Sequence, residues 1–533
     1  MTTELLPRRT LFSPDEPVVI EARGLTGDAE LTVHHLGDRV ATSVVRVGAD
    51  IDLGRLPVGA YGVEMITAAG SVVRTAVQVI DDPRQRLRYG FVADFAPQRD
   101  VRGVVDQARR LHLTAVQYYD WAYRHADLVG GGEHYVDALG QSVSLDSVRR
   151  LVSGLRAVGA ASLGYAAVYA VGDDDWAAWN RVALQRPSGS PYSLGDFLRL
   201  VDPAAPRWLE HFANDLAAAI AAVGFDGFHL DQYGYPRWAI RPDGSVVDVA
   251  RSFHQLITRV RDRMPEAVLV FNNVNDFPTW VTARSPQDAV YIEVWPPHVT
   301  LASLARVVDR ARAAGRGKPV VIAAYQHVYS TARVEQADLA ASFTMATLFS
   351  HGASHLFAGE GDRILVDPYY VHSHRASGST LALLTRWYNF AVEHDELLMD
   401  DGIAEVGGAW LGGYNDALAV EYPDVTVTSH PSAGSVWCRV TDTGSRLVVH
   451  LVNLVGQVDT CWDEPREPVW STGLATLRVR RVRPDGLPRV SVADPDRQPR
   501  LRDIGVRVDG DFIVAELPEP HVWQMVSIEL DPR

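Results

Sequence analysis

Cysteine is nearly absent: Cys438 and Cys461 are the two thiols in 533 residues. That count excludes a disulfide framework and suits a reducing compartment. The two could pair, but nothing in the sequence requires it. No apolar run approaches the length of a membrane span, and Met1 to Thr10 hold no apolar core of signal-peptide length, so a cytoplasmic protein is expected. No basic tract stands against the formal net charge of -15, which argues against a nucleic-acid partner. The H-E-x-x-H and C-x-x-C spacings are missing, so neither a metal nor another cofactor is expected. G-x-S-x-G is missing too, which removes the usual setting of an acyl-transfer serine. No G-x-G-x-x-G follows a strand and no phosphate-cradling loop is present.

What the chain does have is tryptophan, 13 residues of it, on an acidic background. That balance suits a neutral ligand such as a carbohydrate, although the acids equally serve solubility. Length calls for several domains. Short alternating strands with Gly and Asp turns run to about residue 85, at 17–22, 30–34 and 60–65, as in an immunoglobulin-like β-sandwich. Over 86–400 strand-like runs alternate with helical ones. The expected strands are 88–95, 115–121, 162–170, 227–234, 268–274, 289–295, 319–326 and 354–360. The expected helices include 146–158, 206–223, 249–264, 301–314 and 334–350. Eight such alternations predict a (β/α)8 TIM barrel. From 401 to 533 the pattern returns to strands, at 446–453, 475–482 and 521–530, and predicts a second β-sandwich.

A parallel barrel carries its chemistry at the C-terminal ends of its strands. Reading those ends in order gives Asp94 after the first strand and Asp120, Trp121 and His125 after the second. Tyr169 follows the third. The fourth ends on Asp231, with His229 and Gln232 beside it. Asn272 and Asn273 end the fifth, Glu293 and Trp295 the sixth, Tyr325 the seventh and Glu360 the eighth. Carboxylates and amides bond sugar hydroxyls, and Trp and Tyr stack on pyranose faces. Each residue taken singly also has a plainer role. Asp231 can cap a turn, Trp121 and Trp295 can be packing residues, the asparagines can satisfy loop backbone, and Asp120 can pair with Arg124.

Two acids flanking a glycosidic bond are the minimum for its hydrolysis, one ionised and one protonated. In the run Tyr291-Ile292-Glu293-Val294-Trp295, partial desolvation by the apolar neighbours is expected to raise the pKa of Glu293. Asp231, followed by Gln232 and Tyr233, has more hydrogen-bond donors nearby. Asp231 is therefore expected to be the anion and Glu293 the acid.

The same residues carry a family resemblance. Gln117-Tyr118-Tyr119-Asp120-Trp121-Ala122-Tyr123-Arg124-His125, Gly164-Tyr165-Ala166-Ala167-Val168-Tyr169-Ala170, Gly227-Phe228-His229-Leu230-Asp231-Gln232 and the run around Glu293 resemble glycoside hydrolase family 66. So do Gly359-Glu360-Gly361-Asp362 and Asp367-Pro368-Tyr369-Tyr370. This is the family of dextranases and cycloisomaltooligosaccharide glucanotransferases. The resemblance implies a retaining enzyme active on α-1,6-glucans, with the nucleophile at Asp231 and the acid/base at Glu293. Cyclising members carry an inserted carbohydrate-binding domain in the barrel, for which 88–400 has no room, so hydrolysis is favoured over cyclisation. A missing leader favours imported isomaltooligosaccharides as substrate. The alternatives are a transglycosylase of the same family and a non-catalytic glucan-binding protein. The presence of both acids argues against the latter.

Overall fold

The computed structural model describes residues 3–412, 414–481 and 487–530. Its centre is a sheet of eight parallel strands in sequential order. They are β1 (Tyr89–Val92), β2 (Ala115–Tyr118), β3 (Ala161–Ala167), β4 (Gly227–Asp231), β5 (Val268–Val274), β6 (Ala289–Glu293), β7 (Val320–Ala323) and β8 (Ala353–Leu356). The last strand comes back beside the first, where Ser354 Oγ donates to the Leu87 carbonyl at 2.9 Å. Seven long helices follow strands on the outside: α1 (Val101–Arg110), α2 (Leu145–Ala157), α3 (Pro206–Val223), α4 (Val249–Arg263), α5 (Leu301–Gly315), α6 (Val334–Ser350) and α7 (Gly378–Glu393). Between β5 and β6 stands only the single turn Thr279–Thr282. This is a TIM-like barrel, and every strand but β5 ends earlier than the sequence suggests, because the residues beyond its C-terminal end leave the sheet for the loops.

Alternation within each strand sorts the side chains. On β5, Leu269 and Phe271 pack outward in the layer shared with the helices, while Val268 and Val270 join the barrel interior with Tyr89, Phe91, Leu163 and Tyr291. The approach to β4 shows how local sequence fixes position. Pro206 opens α3, where its missing N–H costs nothing. Gly224 closes α3 in the left-handed region at φ 84°. Three residues later β4 starts at Gly227, where a Cβ would lie 1.9 Å from the Val268 carbonyl oxygen. Only glycine lets β4 lie this close to β5. Asp231 thus ends its strand level with the end of β3, paired with Ala167.

Before the barrel lie two antiparallel sheets. One is built from Glu4–Pro7, Val19–Arg23 and Asp50–Asp52, the other from Ala29–His35, Asp38–Val45, Gly59–Thr67 and Val72–Val79. Leu5, Ile20, Leu31, Val33, Val63 and Val77 share their core. After the barrel, a four-stranded sheet faces a seven-stranded one in which every pairing but one is antiparallel. Leu418, Val440, Leu447, Leu477 and Ile528 fill the space between. The strand expected at 475–482 runs as Ala475–Arg480, and Val482 lies outside the described residues. Cys438 is buried within this sandwich and Cys461 is half-buried; both are free thiols.

Candidate active site

At the C-terminal ends of the strands is a cavity of about 450 Å3. Another, of about 240 Å3, lies at the opposite end, beside the strand starts Leu87, Val320 and Ser354. That end of a barrel serves stability. Of the residues expected from sequence, the upper cavity gathers Asp120, His125, His229, Asp231, Gln232, Asn272, Glu293, Trp295 and Tyr325.

Asp231 and Glu293 come from β4 and β6, with β5 between them. Asn272 on β5 donates its Nδ2 to both, to Asp231 Oδ1 at 2.7 Å and to Glu293 Oε2 at 2.7 Å. Two such legs from one nitrogen hold the facing carboxyl oxygens no more than about 5.4 Å apart. Tyr165 on β3 donates its hydroxyl to Asp231 Oδ2 at 2.7 Å, and the Gln232 N–H adds a further bond. Glu293 Oε1 accepts from Trp295 Nε1 at 2.9 Å, and the Tyr325 hydroxyl also bonds this carboxyl. The sequence-based expectation that Asp231 has more donors than Glu293 is therefore corrected: each carboxyl has three.

What separates the two acids is charge. Burial pushes both above the usual carboxylate range, and the Asp231 anion pushes Glu293 further. The two carboxyls therefore titrate as a coupled pair, with the proton favoured on Glu293. Asp120 stands on the other side of Asp231 with a left-handed backbone, φ 46°, a conformation Asp tolerates better than most residues. Burial, then Asp137 and Asp231, raises its carboxyl to about 8. His125 lies 4.0 Å from it, and burial lowers this imidazole to about 4. His229 is lowered by burial to about 3, and its Nδ1 lies 3.0 Å from the Tyr89 hydroxyl. Both histidines are neutral at pH 7, so neither competes with the carboxyls for the proton.

Gln232 spends its amide on the Asn272 and Phe277 carbonyls and accepts from the Gly234 N–H. It fixes the loop rather than reaching into the cavity.

The remaining expected residues lie elsewhere. Trp121 is fully buried, edge-on to Phe225 at 4.7 Å, and donates Nε1 to the Tyr165 carbonyl. It packs behind β3, so the aromatic wall beside the acids is Trp295. Tyr169 donates to the Tyr235 carbonyl and accepts from the Tyr233 N–H, which ties the loop after β4. Asn273 points out of the barrel and bonds the Tyr291 carbonyl and Thr282. Glu360 accepts from the Asp94 N–H and pairs with Arg99, while the Asp94 side chain is half exposed.

Of the two asparagines expected at the end of β5, the cavity takes Asn272, which shares the inward parity of Val268 and Val270. It also holds residues that strand ends alone do not pick out. Tyr165 shares the inward parity of Leu163 in the same way. Tyr370 arrives from the turn after β8, stacks on Tyr119 at 4.3 Å and brings its hydroxyl within 3.5 Å of those of Tyr291 and Tyr325. No periodic signal marks it. Among the described residues, the buried oxygens Gln117 Oε1 and Asn272 Oδ1 have no hydrogen-bond partner. Among the described residues, no group of three or more His, Cys, Asp or Glu is arranged to hold a metal ion.

With this geometry in place, the model of glycosyl hydrolase family 66 matches residues 57–527. The chain belongs to this family. A family 66 relative, the cycloisomaltooligosaccharide glucanotransferase of Niallia circulans, is 24% identical over 54% of this chain and 33% of its own length. The dextranase of Streptococcus salivarius is 25% identical over 42% of this chain and 31% of its own length. The chain thus spans about a third of the length of each of these two curated relatives in the aligned region. A crystal structure of a Paenibacillus sp. cycloisomaltooligosaccharide glucanotransferase with cycloisomaltoheptaose superposes with a TM-score of 0.86. It is 18% identical and covers 98% of this chain and 99% of that one, a likeness of fold.

Proposed function

We propose that this protein is a retaining glycoside hydrolase that cleaves α-1,6-glucosidic bonds in dextran or isomaltooligosaccharides. The observation that carries the reading is the Asn272 bridge. Retaining pairs stand about 5–5.5 Å apart and inverting pairs about 6.5–9.5 Å, and the bridge caps the separation of the facing oxygens at about 5.4 Å, short of the inverting range. Names of family relatives supply the substrate class.

In the first step the Asp231 carboxylate attacks the anomeric carbon. The bond from that carbon to the leaving glucosyl oxygen breaks, and Glu293 gives its proton to that oxygen. Asp231 is now a neutral ester. Its anion no longer raises Glu293, so the same group becomes a carboxylate able to act as base. In the second step Glu293 takes a proton from water, the water oxygen bonds the anomeric carbon, and Asp231 leaves. Two inversions return the α configuration. Trp295 walls the Glu293 side, and Tyr165, Asp120 and His125 lie on the Asp231 side.

A second reading, transfer to a sugar hydroxyl in place of water, is supported by relatives that are glucanotransferases. Incubation with isomaltooligosaccharides tests both. Shorter products that appear first as α anomers support hydrolysis. Longer or cyclic products support transfer. Absence of turnover on any α-glucan would revive a binding-only protein.

A further inference from the structure

A cleft of about 520 Å3 adjoins the catalytic cavity and shares Trp295, Tyr325 and Pro368 with it. Its outer wall is no part of the barrel. It is the segment 459–464, which crosses from the C-terminal sandwich to the loops after β6 and β7. The Leu301 N–H donates to the Thr460 carbonyl at 2.8 Å and the Trp462 N–H to the Val299 carbonyl at 3.1 Å, a short strand pairing across the two domains. Trp462 Nε1 donates to the His298 carbonyl at 2.7 Å. Asp463 Oδ1 accepts from the Val328 N–H at 2.9 Å. The strap is therefore held at both ends of its contact with the catalytic face.

We propose that this cleft is a leaving-group subsite, which takes glucosyl units on the reducing-end side of the bond being cleaved. The inference rests on the retaining reading given above and adds a direction and a role for the C-terminal domain. Direction follows from the acids. Val294, Trp295 and Pro296, the residues directly after Glu293, line the cleft, whereas Asp231, Tyr165 and Asp120 line only the first cavity. The acid must face the oxygen of the departing sugar, so the space that continues past Glu293 lies on the departing side. The chemistry fits a sugar: Trp295, Val299 and Trp462 give apolar surface for a pyranose face. Asp463 Oδ1 accepts from the Val328 N–H, the His327 N–H also bonds this carboxyl, and Glu464 stands exposed at the rim as an acceptor for a hydroxyl. Burial also raises the Asp463 carboxyl, to about 6, as expected for an acid set in a cleft wall.

The test fills the cleft without touching the acids. Val299 and His327 both have exposed side chains at its edge. Val299→Trp and, separately, His327→Trp are compared with the native protein on isomaltooligosaccharides of increasing length and on an aryl α-isomaltoside. The aryl group needs no sugar subsite on its side of the bond. The expected result is a fall in kcat/KM of about tenfold or more on the longer oligosaccharides, with the aryl glycoside within about twofold of native and unchanged melting temperatures. Unchanged kinetics on the oligosaccharides, or an equal loss on both substrates, would overturn the proposal. A native protein that turns over neither substrate would instead refute the retaining α-glucosidic reading, and the subsite with it.

Discussion

Tyr165→Phe removes one oxygen and tests how Asp231 is kept ionised. The ring stays where it is, since its packing against Tyr119 at 5.4 Å and His229 at 6.3 Å does not use the hydroxyl. What is lost is a 2.7 Å bond to a buried carboxylate. A hydrogen bond to a charged group contributes about 1.5–3 kcal/mol. One pKa unit corresponds to about 1.4 kcal/mol, so the loss raises the Asp231 pKa by roughly 1–2 units. The sign is fixed: the bond favours the anion, and its removal favours the proton. In the pH profile of kcat/KM, activity rises as Asp231 loses its proton and falls as Glu293 loses its own. The acid limb should therefore move upward by about 1 unit or more, narrowing the bell, while the alkaline limb moves less. The assay is initial rate on an aryl α-isomaltoside from pH 4 to pH 9. An acid limb that stays in place while the plateau falls would refute the assignment of that limb to Asp231.

Other outcomes follow from the same geometry. Asp231→Asn should lower turnover by several orders of magnitude while glucan binding, read by affinity electrophoresis or calorimetry, survives. Trp295→Phe removes a donor that lowers Glu293, so the alkaline limb should move up, read in the same profile with little change in melting temperature. Trp121→Ala instead opens a hole in a fully buried layer and should cost about 3–5 kcal/mol of stability, read by denaturant unfolding. Asp120→Asn should stabilise the fold at alkaline pH. The native carboxyl titrates at about 8 and the unfolded one near 3.9, so the folded state holds a proton that the unfolded state has released. Its contribution therefore falls as pH rises between those values. The melting-temperature gain of the variant should be near zero at pH 4, largest at pH 8, and accompanied by lost activity.

The barrel was legible because its rhythm is local. α3, β5 and α6 begin and end at the residues that periodicity and Pro206 and Gly224 mark. The strand-end positions of Asp231 and Glu293 were legible for the same reason, since each ends a strand on the face opposite its apolar neighbours. Asn272 and Asn273 were read together because a strand end does not tell them apart; parity does, since one residue along a strand reverses the face. Trp121 shows another limit. An aromatic next to an acid reads as a sugar platform, yet the left-handed turn at Asp120 sends the following side chain back under β3. Tyr370 was marked only by the family-like run Asp367-Pro368-Tyr369-Tyr370, with no role attached, and the 459–464 strap was out of reach altogether. They enter the site from loops and from another domain, and their places depend on contacts such as Tyr119 with Tyr370 and Val299 with Trp462 that no periodicity encodes.

The covalent intermediate on Asp231 tests the central claim most directly. Glu293→Gln slows the second step, because no base remains to activate water, while an activated donor such as a 2,4-dinitrophenyl α-isomaltoside still loads the enzyme without an acid. Mass spectrometry of the quenched, digested protein should then find the isomaltosyl mass on the peptide that contains Asp231. Added azide should release it as the α-azide. An unlabelled Asp231 peptide, with product released directly in the β configuration, would contradict the account.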